Sequence, residues 1–286
     1  MLISSISSSV VLTIAGFDPS GGAGLIADVR ALVAFGCRPV AAMTSLTFQN
    51  SERFSGAIHQ SADSLRAQIL PVVKEFHIAA VKIGMLPTRE LVLEVVRLWR
   101  ETGMPPPVID PVLHSSSGYE LMEPEAKDAW LTELMPLARL ITPNIPEAEA
   151  LTGMTITDES DVHAAARQLR ARGARAVLIK GGHLEQRSES RGQRSEQPKP
   201  QRQAVDVLDD GGAITVFRGE WIDKLPVRGT GCMLSAAIAA GLAQGMNLQE
   251  SVGAAKQFVA NAIRYAPQLG PDPVTLELTE VTVLNE

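Results

Sequence analysis

The sequence contains very little cysteine. Only Cys37 and Cys232 occur among 286 residues, so a disulfide framework is excluded and a reducing compartment is expected. The same scarcity excludes a CxxC metal site. Any special chemistry of sulfur in this protein must therefore come from one of two isolated thiols.

Long apolar runs and dense basic clusters are missing as well. No run approaches about eighteen apolar residues, the approximate minimum for a membrane helix. The apolar N-terminus lacks a basic segment and leads directly into a predicted strand, so we do not interpret it as a signal peptide. The net charge is −6, which argues against a nucleic-acid partner. We expect a soluble, cytoplasmic protein with neither membrane nor nucleic acid as partner.

Short apolar runs rich in β-branched residues alternate with stretches of helical period. This pattern is typical of an α/β protein whose mostly parallel sheet is covered by helices on both faces. Strands are predicted at 10–16, 39–46, 79–85, 107–112, 139–144 and 176–182. Helices are predicted at 23–35, 61–75, 88–101, 123–137, 158–172 and 232–244. The length is compatible with a single domain spanning residues 1–286.

One segment interrupts this alternation. Residues 185–203 contain no apolar side chain, so they cannot bury enough surface to offset the entropy of ordering, and we predict a disordered insertion. After it, residues 204–219 alternate apolar and polar side chains around Asp210-Gly211-Gly212, which predicts a hairpin. Insertion and hairpin together form either a flap over a site or a plain surface feature.

A glycine-rich turn follows the first predicted strand, in the stretch AGFDPSGGAGLIADVRAL. Gly21, Gly22 and Gly24 allow the backbone to approach a ligand closely. The chain has no P-loop motif GxxxxGK[ST]. Two interpretations stay open, a ligand-binding turn and a tight connection without a ligand. Asp28 lies four residues after Gly24, where its carboxylate could face back over the turn.

A second glycine-rich turn lies in VRGTGCMLSAAIAAGLAQG. Gly229, Thr230 and Gly231 precede a helix of small residues, whose first turn has unpaired N–H groups and the positive end of the helix dipole. This arrangement predicts an anion-binding site, and the dipole should favour the thiolate of Cys232. Three interpretations of Cys232 stay open: a small core residue, a nucleophile, or an acceptor for the proton of a substrate hydroxyl. Cys37, in the turn FGCRP, is predicted to be structural.

Polar side chains also stand at the ends of successive predicted strands. Asp110 follows PVI, Asn144 and Glu147 form NxxE after RLITP, and Lys180 begins KGGH. In open α/β sheets ligands bind at such strand ends. Asp110 and Glu147 offer hard oxygen ligands suited to Mg²⁺, and Lys180 offers a point charge for a phosphate.

Taken together, these motifs resemble a known enzyme family. GFDPSGGAG, FQN, KIGML, DPV with SSSG, TPNIPEAEALTG, KGGHL and GTGC occur in collinear order between residues 10 and 264. They closely resemble the hydroxymethylpyrimidine/phosphomethylpyrimidine kinases of thiamine biosynthesis, in the ribokinase-like superfamily. The resemblance implies an ATP- and Mg²⁺-dependent kinase that phosphorylates 4-amino-5-hydroxymethyl-2-methylpyrimidine and then its monophosphate. It also implies a homodimer.

The resemblance further implies roles for individual residues. Many ribokinase-like enzymes have GTGD, whose aspartate accepts a proton from the attacking hydroxyl, and by position Cys232 would be the catalytic base here. The amides of Gly229, Gly231 and Cys232 would form the anion hole. The residues implied for the pyrimidine are Gly16, Asp28, Gln49, Met85 and Val112. Those implied for the nucleotide are Asn144, Lys180 and Gly182.

The sequence departs from the usual family pattern at several positions. Phe48 precedes Gln49 where a small residue is common, and Ser115 to Ser117 stand where a lysine is often found. Arg228 and Met233 flank GTGC in place of the frequent His and Thr. These departures bear on the affinity for substrates and on whether both phosphorylation steps take place.

Three other functions remain open. A pyridoxal kinase of the same superfamily is the nearest, although Gln49-Asn50 favours an aminopyrimidine. A non-catalytic nucleotide or vitamin sensor would keep the fold and lose turnover. A cysteine hydrolase would need a histidine beside Cys232, and only His183 lies in a motif.

Overall fold

The computed structural model describes residues 8–50, 53–115, 118–181, 203–222 and 228–265. Within these ranges nine strands form one sheet in the order β3-β2-β1-β4-β5-β6-β7-β8-β9. The strands are β1 (Val10–Phe17), β2 (Arg38–Gln49), β3 (Phe54–His59), β4 (Ile78–Ile83), β5 (Val108–Ile109), β6 (Leu140–Ile141), β7 (Ala176–Lys180), β8 (Gln203–Asp210) and β9 (Ala213–Glu220). Strands β2, β1, β4, β5, β6 and β7 are parallel, whereas β3, β8 and β9 pair antiparallel with their neighbours.

Helices cover both faces of the sheet. They are α1 (Gly24–Ala34), α2 (Ala62–Glu75), α3 (Arg89–Thr102), α4 (Pro124–Ala129), α5 (Ile145–Thr152), α6 (Glu159–Ala171), α7 (Thr230–Ala243) and α8 (Leu248–Tyr265). Leu12 and Ile14 of β1 belong to a core shared with α2 to α6, while Val11 belongs to a second core shared with α1, α7 and α8. Because successive strand residues point to opposite faces, both faces are apolar. The predicted α/β/α architecture is confirmed.

Local sequence accounts for where several helices begin. The side chains of Ser61, Thr88 and Asp158 accept hydrogen bonds from backbone N–H groups in the first turns of α2, α3 and α6. Asn144 and Glu147 form a reciprocal capping box at the start of α5. These caps satisfy donors that have no partner inside the helix.

Several elements differ from the sequence prediction. Strand β3 and the helices α5 and α8 were not predicted. The predicted helix 123–137 is interrupted, since α4 ends at Ala129 and is followed by a π turn, Trp130–Leu134, and a 3-10 turn, Met135–Leu137. Pro136 has no N–H to continue an α-helix. The strands predicted at 107–112 and 139–144 are only two residues long, so Asp110 and Asn144 lie beyond their ends.

The hairpin after the insertion is confirmed, with Gly211 and Gly212 at positive φ in the turn between β8 and β9. The predicted insertion lies outside the described residues except for Gln203, which begins β8. In the ranges covered by the structure, no helix is both long and apolar enough to cross a membrane. The single-domain organisation stays a prediction.

Candidate active site

The two glycine-rich turns predicted from sequence lie in direct contact. A Cβ added to Gly229 would stand 2.0 Å from the carbonyl oxygen of Gly22. A Cβ added to Gly24 would stand 2.2 Å from the carbonyl oxygen of Gly16, at the end of β1. Gly24 and Gly229 also have φ of +57° and +78°, a region that glycine adopts without strain. The close approach of the turn after β1 to the turn before α7 therefore requires glycine.

This contact gives a testable prediction. We expect Gly229→Ala to lower kcat/KM about 10²-fold, because the new methyl group must push the two turns apart and small displacements of a site are costly. Gly245→Ala is the matched control at the other end of α7: Gly245 also has positive φ, but an added Cβ meets nothing within 4 Å. Steady-state kinetics of both variants checks the prediction, and equal losses would contradict it.

The N-terminus of α7 has free backbone donors. Gly229 is the N-cap residue and provides no side-chain cap. The first helical bond runs from the Met233 N–H to the Gly229 carbonyl, at 2.9 Å, so the amides of Gly231 and Cys232 have no acceptor within the helix. A Cβ added to Gly231 would stand 3.1 Å from Lys180 Nζ. The same Cβ would stand 3.3 Å from Asp110 Oδ2, so the first turn of α7, Lys180 and Asp110 lie close together. The amides and the lysine are groups from which an anion site can be built.

Lys180 and two carboxylates form a cluster beside this point. Lys180 Nζ donates to Asp110 Oδ1 at 2.7 Å, and Thr142 Oγ1 donates to the same oxygen at 3.0 Å. Burial raises the pKa of Glu147 to about 7, while Lys180 lowers it and Asp110 raises it. Burial lowers the pKa of Lys180, but the two carboxylates more than offset this and hold it above its usual value.

The cluster fits a divalent cation held mainly by water and phosphate oxygens. Asp110 lies close enough to disfavour ionisation of Glu147 and so to raise its pKa, and a cation bound beside the two carboxylates would relieve that repulsion. Across the described part of the chain, no group of three or more His, Cys, Asp or Glu side chains is arranged to hold a metal by itself. Asn144 Oδ1 accepts a hydrogen bond from the Glu147 N–H in the capping box. The side-chain NH₂ group of Asn144 is not part of that box.

A buried ion pair lies behind the site. Lys82 Nζ donates to Asp28 Oδ1 at 2.8 Å and Oδ2 at 2.7 Å, and Thr13 Oγ1 donates to Oδ2 at 2.6 Å. Lys82 and Asp28 are completely buried. Asp28 was predicted to face a ligand over the glycine turn, but here its carboxylate is directed at Lys82 and Thr13. Sequence reasoning missed Lys82, whose only signal is a lysine inside the apolar run AAVKIGM.

Cys232 lies in the first turn of α7 and is half-buried. Burial raises the pKa of its thiol to about 11, an effect that Asp28 and Asp110 reinforce and that Lys82 and the Gly24 amide oppose. The expected preference for the thiolate is not found, because burial is the largest influence on the thiol and raises its pKa. Cys37 is buried in the core, with its thiol near the Ala240 carbonyl oxygen, as its structural interpretation predicts.

The residues predicted for a ring substrate lie on the β2 side of the site. Gln49 Nε2 donates to Thr47 Oγ1 at 2.9 Å, and Arg228 Nη2 donates to Gln49 Oε1 at 2.9 Å. Met85 is buried behind Gly16, where an added Cβ would stand 3.0 Å from its sulfur. Met85 also lines a cavity of about 670 Å³ bounded by β3 and residues 118–124.

Two predicted site residues are left, Val112 and Gly182. Val112 is half-buried in the turn after Asp110, where its N–H donates to the Asp110 carbonyl oxygen at 2.9 Å. Gly182, His183, Ser116 and Ser117 lie outside the described residues.

Comparison with known proteins identifies similar sequences and structures. The profile of the phosphomethylpyrimidine kinase family matches residues 18–276. A hydroxymethylpyrimidine/phosphomethylpyrimidine kinase of Streptomyces coelicolor is 39% identical over 261 residues, or 91% of each chain. The crystal structure of a phosphomethylpyrimidine kinase from Clostridium difficile has a TM-score of 0.75 and 35% identity, over 90% of this chain and 100% of that one. An ADP complex of Bacillus subtilis pyridoxal kinase has a TM-score of 0.80 and 34% identity, over 94% and 98%.

Proposed function

Because the chain belongs to the phosphomethylpyrimidine kinase family, we propose that it uses ATP to phosphorylate 4-amino-5-hydroxymethyl-2-methylpyrimidine and then its monophosphate, for thiamine diphosphate biosynthesis. The observation that carries the proposal is the convergence of the α7 N-terminus, Lys180 and Asp110 at one point. Phosphoryl transfer needs positioned positive charge and hydrogen-bond donors more than covalent chemistry.

The amides of Gly229, Gly231 and Cys232 are proposed to surround the transferring phosphoryl group. Lys180 lies against Gly231 and would neutralise phosphate charge from the nucleotide side. Such donors need no reorganisation during the reaction, because the glycine contact and the buried helix hold them in place. Asn144 and Gly182 complete the proposed nucleotide site.

Asp110 and Glu147 are the proposed Mg²⁺ site. Mg²⁺ bound there would neutralise negative charge on the ATP phosphates. Lys180 Nζ donates to Asp110 Oδ1, so the lysine and the metal would share one carboxylate.

Cys232 is the proposed base for the substrate hydroxyl. Its pKa of about 11 means that the thiol is protonated near neutral pH, so only a small fraction of the protein holds the active thiolate. Lys82 and the Gly24 amide favour the thiolate, and the pKa of about 11 already includes their effect. A strong base present in small amount can still be effective, since basicity rises with pKa.

For the pyrimidine we propose Gly16, Gln49, Met85, Val112 and Asp28. Gln49 can satisfy polar edges of the ring that would lose hydrogen bonds on burial. Met85 would pack on the ring near Gly16. Asp28 is proposed to act from the buried pair with Lys82, below the ring.

The test is ADP formation with ATP alone, with added aminopyrimidine and with added pyridoxal. We expect ADP formation to depend on the aminopyrimidine and to be faster with it than with pyridoxal, because Gln49 presents an amide edge that complements an aminopyrimidine. Faster turnover of pyridoxal would overturn the choice of substrate in favour of a pyridoxal kinase, the activity of the similar Bacillus subtilis protein. If no ADP forms with either substrate, the result would favour a non-catalytic sensor. The homodimer and the cytoplasmic location stay predictions.

A further inference from the structure

Arg228 connects the anion site to the ring-binding side chain. It directly precedes Gly229, the N-cap of α7. Its Nη2 donates to Gln49 Oε1 at 2.9 Å, and its Nη1 donates to the Asn50 carbonyl oxygen. The Arg228 side chain is only 11% exposed, so these bonds are largely shielded from water. A charged donor in such a place forms a stronger hydrogen bond than a neutral one.

An unsatisfied carboxylate oxygen lies next to the guanidinium. Asp18 is buried, and its Oδ2 has no hydrogen-bond partner among the described residues. That oxygen stands 3.8 Å from Arg228 Nη2. The negative charge of Asp18 attracts the guanidinium and holds it beside Gln49. At this distance no N–H group of Arg228 is used in a hydrogen bond to Asp18.

The contacts of Gln49 determine which way its amide points. Thr47 Oγ1 donates its single hydrogen to the Phe17 carbonyl oxygen at 2.8 Å, so it can only accept from Gln49. Arg228 can only donate. The nitrogen of the Gln49 amide must therefore face Thr47 and its oxygen must face Arg228. This orientation follows from the neighbours and does not depend on telling oxygen from nitrogen.

The fixed amide has one N–H and one oxygen lone pair left. Together they provide one donor and one acceptor for a ligand. A ring that carries an amino group next to a ring nitrogen offers the complementary acceptor and donor. If the amide rotated, its donor and acceptor would exchange places and both bonds would be lost.

We propose that Arg228 is a positioning residue that sets ring selectivity by fixing the amide of Gln49. The inference rests on the proposed function for the identity of the ring and on the contacts of Arg228 for the mechanism. It gives a specific role to a residue that stands where relatives frequently have histidine.

A double-mutant cycle with Arg228→Ala, Gln49→Ala and the double variant tests the inference. Kinetics are measured on whichever ring substrate, aminopyrimidine or pyridoxal, the unmodified protein phosphorylates faster. We expect Arg228→Ala to raise KM for the ring about tenfold, the effect of losing one charged hydrogen bond, with KM for ATP unchanged. In the Gln49→Ala background the same change should raise KM less than twofold. Arg218→Ala removes an exposed arginine paired with Glu159 and controls for lost charge.

Independent effects of the two substitutions would overturn the inference, since Arg228 would then act on the substrate directly. A rise in KM for ATP would overturn it as well. Arg228→Lys keeps the charge and one donor, and we expect it to recover part of the lost affinity. If Arg228→Ala folds poorly, thermal melting of the four proteins of the cycle will show it, and Arg228→Lys then provides the test. Failure of the proposed function would appear separately, as slow aminopyrimidine turnover by the unmodified protein.

Discussion

Cys232→Ala is expected to lower kcat by about 10²–10⁴-fold, the usual contribution of a general base, and to leave the affinity for ATP nearly unchanged. The substitution removes the thiol, but the backbone donors of α7 and the cluster around Lys180 remain. Steady-state kinetics and equilibrium binding of a non-hydrolysable ATP analogue measure the two quantities. Near-normal turnover would refute the role of Cys232.

The pH dependence of the unmodified protein distinguishes a base from a structural thiol. If Cys232 is the base, its deprotonated form is the active one. Because the pKa of Cys232 is about 11, the active fraction should then rise nearly tenfold per pH unit between pH 7 and 9. Cys232→Asp introduces the carboxylate found in GTGD relatives, which ionises at lower pH, so the profile should shift toward acid. A flat profile for the unmodified protein would contradict general-base catalysis by the thiol.

Lys82→Met should have the largest effect on folding, lowering the free energy of unfolding by about 3–5 kcal/mol. Asp28 would then be a completely buried carboxylate whose only remaining hydrogen bond comes from Thr13. Burial already raises the pKa of Asp28, and Lys82 is the main influence that opposes this. Urea denaturation at pH 7 gives the free energy directly.

Two further variants make this prediction specific. The double variant Lys82→Met, Asp28→Asn removes both charges and should recover most of the lost stability, since replacing a whole buried pair costs little. Arg218→Met breaks an exposed pair with Glu159 and should cost less than about 1 kcal/mol. Equal losses for Lys82→Met and Arg218→Met would mean that burial of the pair is unimportant.

Sequence patterns predicted the features that depend on neighbouring residues. The glycine turns, the polar residues at the carboxyl ends of β5, β6 and β7, and the hairpin all have local signals. The buried core strands were found because their apolar runs are continuous. Helix α5 was missed because its eight residues, with Pro146 near the start, give too short a pattern, and the edge strand β3 is short and contains Gly56.

Contacts between distant residues could not be predicted in this way. Lys82 and Asp28 are 54 residues apart, and Arg228 and Gln49 are 179 apart. Nothing in either local sequence indicates its partner. The thiolate expected at Cys232 was not found for a related reason: the dipole is a property of its own helix, whereas the burial that raises the pKa of the thiol depends on distant parts of the chain.

The contact between Gly22 and Gly229 also restricts how this sequence can evolve. A side chain at position 229 would collide with the backbone of the other turn, so no change at position 22 can make room for it. Flanking side chains such as Phe48, Arg228 and Met233 are not restricted in this way, so substitutions there can change the surroundings of the two turns without moving their backbone.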